Sequence, residues 1–305
     1  MPQTKPPFRA ALLWPLHWPA WLGIAMIRLA ALLPRRWLML GGRLFGALFA
    51  RLPGERRRVA AANLALCFPQ LDDATRGAML EENLRDAGVM LAEFVLAWMG
   101  SEAAIARIRV TIEGLEHLQT ARDAGRGVLL VGAHFSHLEL CARLVSQRIR
   151  IAGMYREHAD AAFEWAIKRA RLRYADAMYN KDELRATIRY LKNGGTLWYA
   201  PDQDMRGKEA VFAPFFGIAA STITATHHLA RLSGARVIPF FHRRTDDGYA
   251  IRLEAPLENF PGDDVVADTA RVNACIERMV REAPTQYLWL HKRFKTRPPG
   301  EASPY

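Results

Sequence analysis

Cysteine is scarce in this chain: Cys67, Cys141 and Cys275 stand far apart among 305 residues, and no Cys-x-x-Cys pair occurs. That usage suggests neither a disulfide framework nor a cysteine zinc site, and it points to a reducing compartment. A Gly-x-Ser-x-Gly nucleophile elbow is missing and no cysteine has matching catalytic partners, so nothing supports a covalent enzyme intermediate. Acids are nearly absent from the first 58 residues, where ten basic side chains face Glu55 alone and hold +9 of the net charge of +11. The rest of the chain is close to neutral, which argues against a nucleic-acid partner, because the charge excess is concentrated beside an apolar segment.

Half of the residues are apolar and 24% are charged, the balance of an ordinary folded chain. The basic segment is also the most apolar. AALLWPLHWPAWLGIAMIRLAALL (10 to 33) has the length of a membrane helix, which needs about 20 residues, although Pro15, His17, Pro19 and Arg28 interrupt it. Four of the eight tryptophans, Trp14, Trp18, Trp21 and Trp37, fall in or beside it, and amphipathic rings prefer the headgroup level. WLMLGGRLFGALFARL (37 to 52) is too short to span and reads as an interfacial helix. Residues 1–55 are therefore expected to anchor the chain to a membrane, by spanning it or by lying on it. The positive charge that follows the run would leave the main domain, residues 56–305, in the cytoplasm. A buried helical hairpin is the alternative.

After PGERRR (53 to 58) the spacing predicts helices over 57–68 and 71–100. Short β-rich runs then alternate with helical ones: strands within 109–114, 127–134, 150–156, 196–202, 236–243 and 249–255, and helices near 137–147, 160–173, 182–192, 222–233 and 264–282. This alternation predicts an α/β domain whose largely parallel sheet is covered by helices on both faces. In such sheets, sites form at the carboxyl ends of strands.

GAHFSHLEL (132 to 140) lies at one such end. His134, His137 and Glu139 do not have a recognised zinc spacing. Ser136-x-x-Glu139 fits a capping box, in which each side chain satisfies an amide at a helix start. That leaves His134 unexplained. A third reading places His134 before the helix, with Glu139 reaching back to one ring nitrogen and the other nitrogen free to take a proton from a hydroxyl.

His134-x4-Glu139 resembles the His-x4-Asp/Glu motif of the glycerolipid acyltransferase superfamily, and HFSHLE is similar to the form seen in lipid A late acyltransferases of the lauroyl transferase type. The resemblance runs nearly end to end, through NLALCFP (63 to 69), GMYR (153 to 156), WYAPDQD (198 to 204), VFAPFFG (211 to 217), TATHHLARLSGA (224 to 235) and QYLWLHKRFKTRPPG (286 to 300). His137 stands where relatives commonly carry a residue such as threonine.

The resemblance implies transfer of a fatty acyl chain from acyl carrier protein to a hydroxyl on a 3-hydroxyacyl chain of a Kdo-bearing lipid A precursor, at the bacterial inner membrane, with no metal or other cofactor. His134 would act as base and Glu139 would hold its tautomer. Arg156, in the GMYR block, is the candidate oxyanion donor or a phosphate-binding arginine. KRARLR (168 to 173) offers Arg169 and Arg171 to acceptor phosphates or to the acidic carrier protein. Asp202 and Asp204 lie at another strand end, Phe212, Phe215 and Phe216 suggest an apolar turn near an acyl chain, and Lys292, Arg293 and Lys295 an anionic contact or a tail. The nearest rival is a glycerolipid or other acyltransferase with the same dyad and a different acceptor or an acyl-CoA donor. A membrane-bound lipid-binding or assembly protein is the reading from another class.

Overall fold

The apolar run at 10–33 does not form one helix. In the computed structural model, which describes residues 3–305, it breaks into 3-10 turns at Ala10–Leu13 and Pro15–His17, followed by α1 (Trp18–Ala30). Pro15 and Pro19 each sit in the first turn of their own element, where a missing amide costs little, so each proline starts a helix instead of continuing one. Thirteen residues rise about 20 Å, against about 30 Å of hydrocarbon. Among the described residues no helix is long and apolar enough to cross a membrane. Next come α2 (Arg35–Arg51), α3 (Glu55–Cys67), α4 (Asp73–Met99) and α5 (Glu102–Ala106). Asp72 caps α4 by accepting the Thr75 amide at 2.7 Å, and Ser101 caps α5.

The alternating part runs β1 (Arg109–Glu113), α6 (Leu115–Asp123), β2 (Val128–Val131), α7 (Leu138–Val145), β3 (Ala152–Tyr155), α8 (Ala161–Arg171), β4 (Met178–Asn180), α9 (Leu184–Lys192) and β5 (Thr196–Tyr199). A hairpin, β6 (Ala210–Phe215) and β7 (Ile218–Ile223), precedes α10 (Ala225–Ser233), β8 (Arg236–Arg244), β9 (Gly248–Leu253) and α11 (Val265–Glu282). Seven strands form one sheet in the order β1-β9-β8-β2-β5-β3-β4. Strands from β8 to β4 run parallel, while β9 and its parallel neighbour β1 run opposite to them.

Both faces of the sheet are covered, as expected for an uninterrupted apolar strand such as Val128–Val131. One face packs Leu129, Val131, Leu197 and Val237 against α3, α10 and α11. The other packs Val128, Leu130, Ile238 and Phe240 against α4, α6, α7 and α8. The periodicity reading does not include α5, α6, the three-residue β4 or the two strands of the β6–β7 hairpin.

The α2 helix docks on α4 through glycines. A Cβ at Gly46 would meet the Arg85 carbonyl at 2.1 Å, and one at Gly88 would meet the Gly42 carbonyl at 2.3 Å. The two backbones touch only because those side chains are missing. Gly88→Val is expected to push the helices apart and cost about 1–3 kcal/mol. Urea unfolding of the variant should show a lower midpoint with an unchanged slope; an unchanged midpoint would mean that the contact contributes nothing.

Candidate active site

His134 lies three residues beyond the end of β2, Asp202 three residues beyond the end of β5, and these strands are paired in parallel with Val131 opposite Tyr199. Equal offsets from paired ends bring the two together. One carboxylate oxygen of Asp202 accepts the His134 amide at 2.9 Å, and the other lies 2.6 Å from ring Nδ1. Gly132 lets the chain pass: a Cβ there would meet Trp198 Nε1 at 2.8 Å and the Phe240 carbonyl at 3.1 Å. Asp202 is buried and the His134 side chain is 28% exposed.

Burial by itself would lower the His134 pKa, but the charge of Asp202 and its hydrogen bond overcome this and leave the imidazole above its usual value. Burial likewise works against the ionised Asp202 carboxyl. The charge of His134, both of its hydrogen bonds and the Tyr287 hydroxyl outweigh that and hold the carboxyl at about 2. With Nδ1 tied to Asp202, His134 lines a cavity of about 290 Å³ together with Phe94, Glu139, Met154, Arg156, Arg171 and Trp198.

Glu139 does not reach back to the His134 ring, contrary to the sequence expectation. It bonds Arg171, whose Nε lies 3.2 Å from Oε2 and whose Nη2 donates to Oε1, and it accepts Trp98 Nε1 at 2.9 Å. Burial raises the Glu139 carboxyl, but Arg171, by charge and hydrogen bond, and then Trp98 bring it below its ordinary value. The capping box is not formed either. Helix α7 begins with His137 as its N-cap and no side-chain cap bond, because the Ser136 hydroxyl donates to Asp86 and lies 3.3 Å from Arg244.

Arg171 therefore lines the cavity already paired, whereas Arg156 is exposed at its rim just beyond β3. Arg169 is elsewhere: it stacks over Trp165 and donates to the Pro6 carbonyl at 3.0 Å. Asp204 accepts the amide and hydroxyl of Thr296 at 3.0 and 2.9 Å, and so ties down the C-terminal segment. The Phe216–Gly217 turn packs on Phe68 and Trp289 and does not line the cavity. Arg293 belongs neither to a tail nor to an anionic contact; it is 2% exposed and donates to the Ser221 carbonyl and the Thr222 hydroxyl.

Trp98 as a partner of Glu139 has no signal in the motif, since it comes from the far end of α4. The described residues hold one group of metal-capable donors, formed by His137, Cys141 and His242, whose ligand atoms lie within 4.8 Å of one another. All three are buried, His137 and Cys141 at the start of α7 and His242 on β8, and burial holds His242 at about 3, so it stays neutral. Neither His134 nor Glu139 belongs to this group.

Residues 5–296 match the family model described as bacterial lipid A biosynthesis acyltransferase. The chain is 38% identical to the lipid A biosynthesis lauroyltransferase of Escherichia coli (strain K12), over 98% of this chain and 99% of that one. It is also 38% identical to the palmitoleoyltransferase of the same strain, over 100% and 99%, and 30% identical to its myristoyltransferase, over 98% and 94%. The chain belongs to this family. It is a lipid A biosynthesis acyltransferase, and His134 on its cavity wall is held by Asp202 with the geometry of an oriented base.

Two predictions come from the site. Asp202→Asn removes the group that fixes the ring and raises its pKa, so activity should fall roughly 10²- to 10⁴-fold. The acid limb of kcat/KM against pH should also move to lower pH, because burial, which opposes the charged ring, is then unopposed. A limb that stays in place would mean that His134 is not the titrating group. Beneath Ser136, Arg244 pairs with buried Glu93 at 2.8 Å and with Asp86. Burial pushes the Glu93 carboxyl up and Arg244 opposes it. Arg244→Met should cost about 3–5 kcal/mol, since it strands two acids, measured as the loss of unfolding free energy in urea.

Proposed function

We propose that the chain moves a fatty acyl group from acyl carrier protein to a hydroxyl on a 3-hydroxyacyl chain of a Kdo-bearing lipid A precursor, at the cytoplasmic face of the inner membrane. The observation that carries this reading is the Asp202-held imidazole opening onto a cavity walled by Phe94, Met154 and Trp198, where an acyl chain and a general base meet. The names of the relatives, which specify lauroyl, palmitoleoyl and myristoyl transfer, support a long-chain donor.

His134 removes the hydroxyl proton through the nitrogen that Asp202 does not hold. The hydroxyl oxygen attacks the thioester carbonyl carbon, and the tetrahedral intermediate collapses with cleavage of the C–S bond. The imidazolium gives its proton to the departing thiolate, releasing a thiol, while Asp202 balances the transient ring charge. The oxyanion needs a donor that is not already spent. Arg156, exposed at the cavity rim, fits that role better than Arg171, which Glu139 occupies. Glu139 acts in this reading as a positioning residue that keeps Arg171 and Trp98 in place.

Attachment to the membrane is supported by the surface of the first 52 residues. Trp14, Trp18, Leu22, Met26, Leu29 and Leu44 all project into solvent among exposed arginines, the composition of helices that lie in the interface.

The test supplies membranes holding the chain with acyl carrier proteins of several chain lengths and the tetra-acylated, Kdo-bearing precursor, and follows product mass. One added acyl chain is expected, with a loss of at least about 10²-fold in His134→Ala. If glycerolipids are acylated and neither this precursor nor its penta-acylated form is, the acceptor is misassigned. Equal activity in the variant would remove His134 as the base.

A further inference from the structure

A second cleft is lined by Trp98, whose indole bonds Glu139 of the His134 cavity. It measures about 160 Å³, and its polar lining is Lys5, Arg28, Arg169 and Arg173, with Trp98 and Trp165 as aromatic walls. No acid lines it. Acids nearby are already engaged: Asp160 with His17 at 2.7 Å, Glu102 with Arg143 at 2.7 Å, and Glu139 with Arg171. Two of the cations have partners without charge, since Arg169 donates to the Pro6 carbonyl and Arg173 to that of Trp98. Lys5 and Arg28 are exposed and enter no ion pair or side-chain hydrogen bond among the described residues. The Arg173 guanidinium is pushed down, first by burial and then by Arg143, with Arg28 adding to this.

The walls are preformed. Residues 3–17 strap across α8 and the end of β4: the Gln3 amide donates to the Asp176 carbonyl at 2.6 Å, its side-chain oxygen accepts the Met178 amide at 2.9 Å, and Phe8 packs edge-on against Trp165. Four cations converging on one concavity without a counter-charge attract an anion, and guanidinium forks suit phosphate oxygens. The flanks say where that phosphate comes from. Arg28 stands on α1 between Met26 and Leu29, both largely exposed, so the cleft opens at the apolar surface.

We propose that this cleft seats a phosphate of the lipid acceptor, a proposal that rests on the acceptor assigned above. Trp98 joins the two sites. Its indole donates to Glu139 in the His134 cavity and its carbonyl accepts Arg173 in the cleft. A phosphate held in the cleft positions the acceptor so that its hydroxyl-bearing chain reaches His134.

The test measures binding without any acyl donor, so it reads the cleft whether or not transfer occurs. Full-length protein is floated with phosphatidylcholine vesicles doped with the phosphorylated precursor, its dephosphorylated form, or phosphatidylglycerol. Lys5→Gln with Arg28→Gln should weaken capture by the phosphorylated precursor about tenfold and leave the dephosphorylated form unaffected; Arg28→Lys should restore part of the loss. Arg43→Gln, an exposed cation on α2, is the control. An equal loss in that control, an equal loss with dephosphorylated precursor, or no loss at all overturns the proposal. An equal loss with phosphatidylglycerol assigns the cleft to bulk phospholipid and overturns the proposal, while the acceptor assigned above stands or falls by the transfer assay.

Discussion

A single carboxylate, that of Asp202, fixes His134 twice, by its backbone and by its ring, and that double hold depends on strand register. Because Val131 sits opposite Tyr199 in a parallel pair, residues at equal distances past the two strand ends arrive side by side. A slip of one residue would separate them and turn the buried faces of both strands outward. The apolar sequences VLLV and TLWY thus do more than fill the core: by fixing the register they fix the base. The same constraint sets its electrostatics, since a buried aspartate at fixed range keeps the imidazole in one orientation and raises its proton affinity.

Around this pair the acids and bases are matched so that few charges are left free. Glu139 takes Arg171, and Arg244 takes Asp86 and Glu93. Matching matters because an unpaired buried charge costs several kcal/mol. It also leaves a difference at the cavity: Arg171 is engaged by Glu139, while the exposed Arg156 has no ion pair among the described residues. The lipid-A relatives differ by name in the chain they transfer, while the base and its support are a matter of backbone register and ion pairing.

Sequence periodicity located β2 and the motif after it because four consecutive buried residues flanked by glycine leave few alternatives. It missed β4, which is three residues long, and the β6–β7 hairpin, whose turn is Phe216–Gly217 with Phe216 at a positive φ of 52° in place of an asparagine or glycine. The partner of His134 was misread because the nearest acid along the chain, Glu139, competes with one 68 residues away that the sheet delivers. Ser136 and Glu139 have the spacing of a capping box, yet stronger charged partners claim both side chains. Arg169 and Arg171 were read together, although two positions on a helix turn about 200° and so face opposite ways. Periodicity alone could have separated them, and the structure does, one in the cleft and the other in the cavity.

The N-terminal segment resolves into short helices whose apolar side chains are not spent on packing. Sixteen of the twenty-two large apolar side chains exposed among the described residues lie between Phe8 and Leu52. A buried hairpin would hide them, and a solvated surface rarely carries so large an apolar patch. The buried side of this segment meets the rest of the chain on α4, through the glycine contact of α2 and through α1, and on α8, through α1 and the strap. Those are the helices that carry Trp98 and Arg171, two of the partners of Glu139. The apolar surface is thus coupled to the cavity through rigid backbone: α2 cannot shift on α4 without forcing glycine contacts apart, and α8 cannot move without breaking both the strap and the Glu139–Arg171 pair.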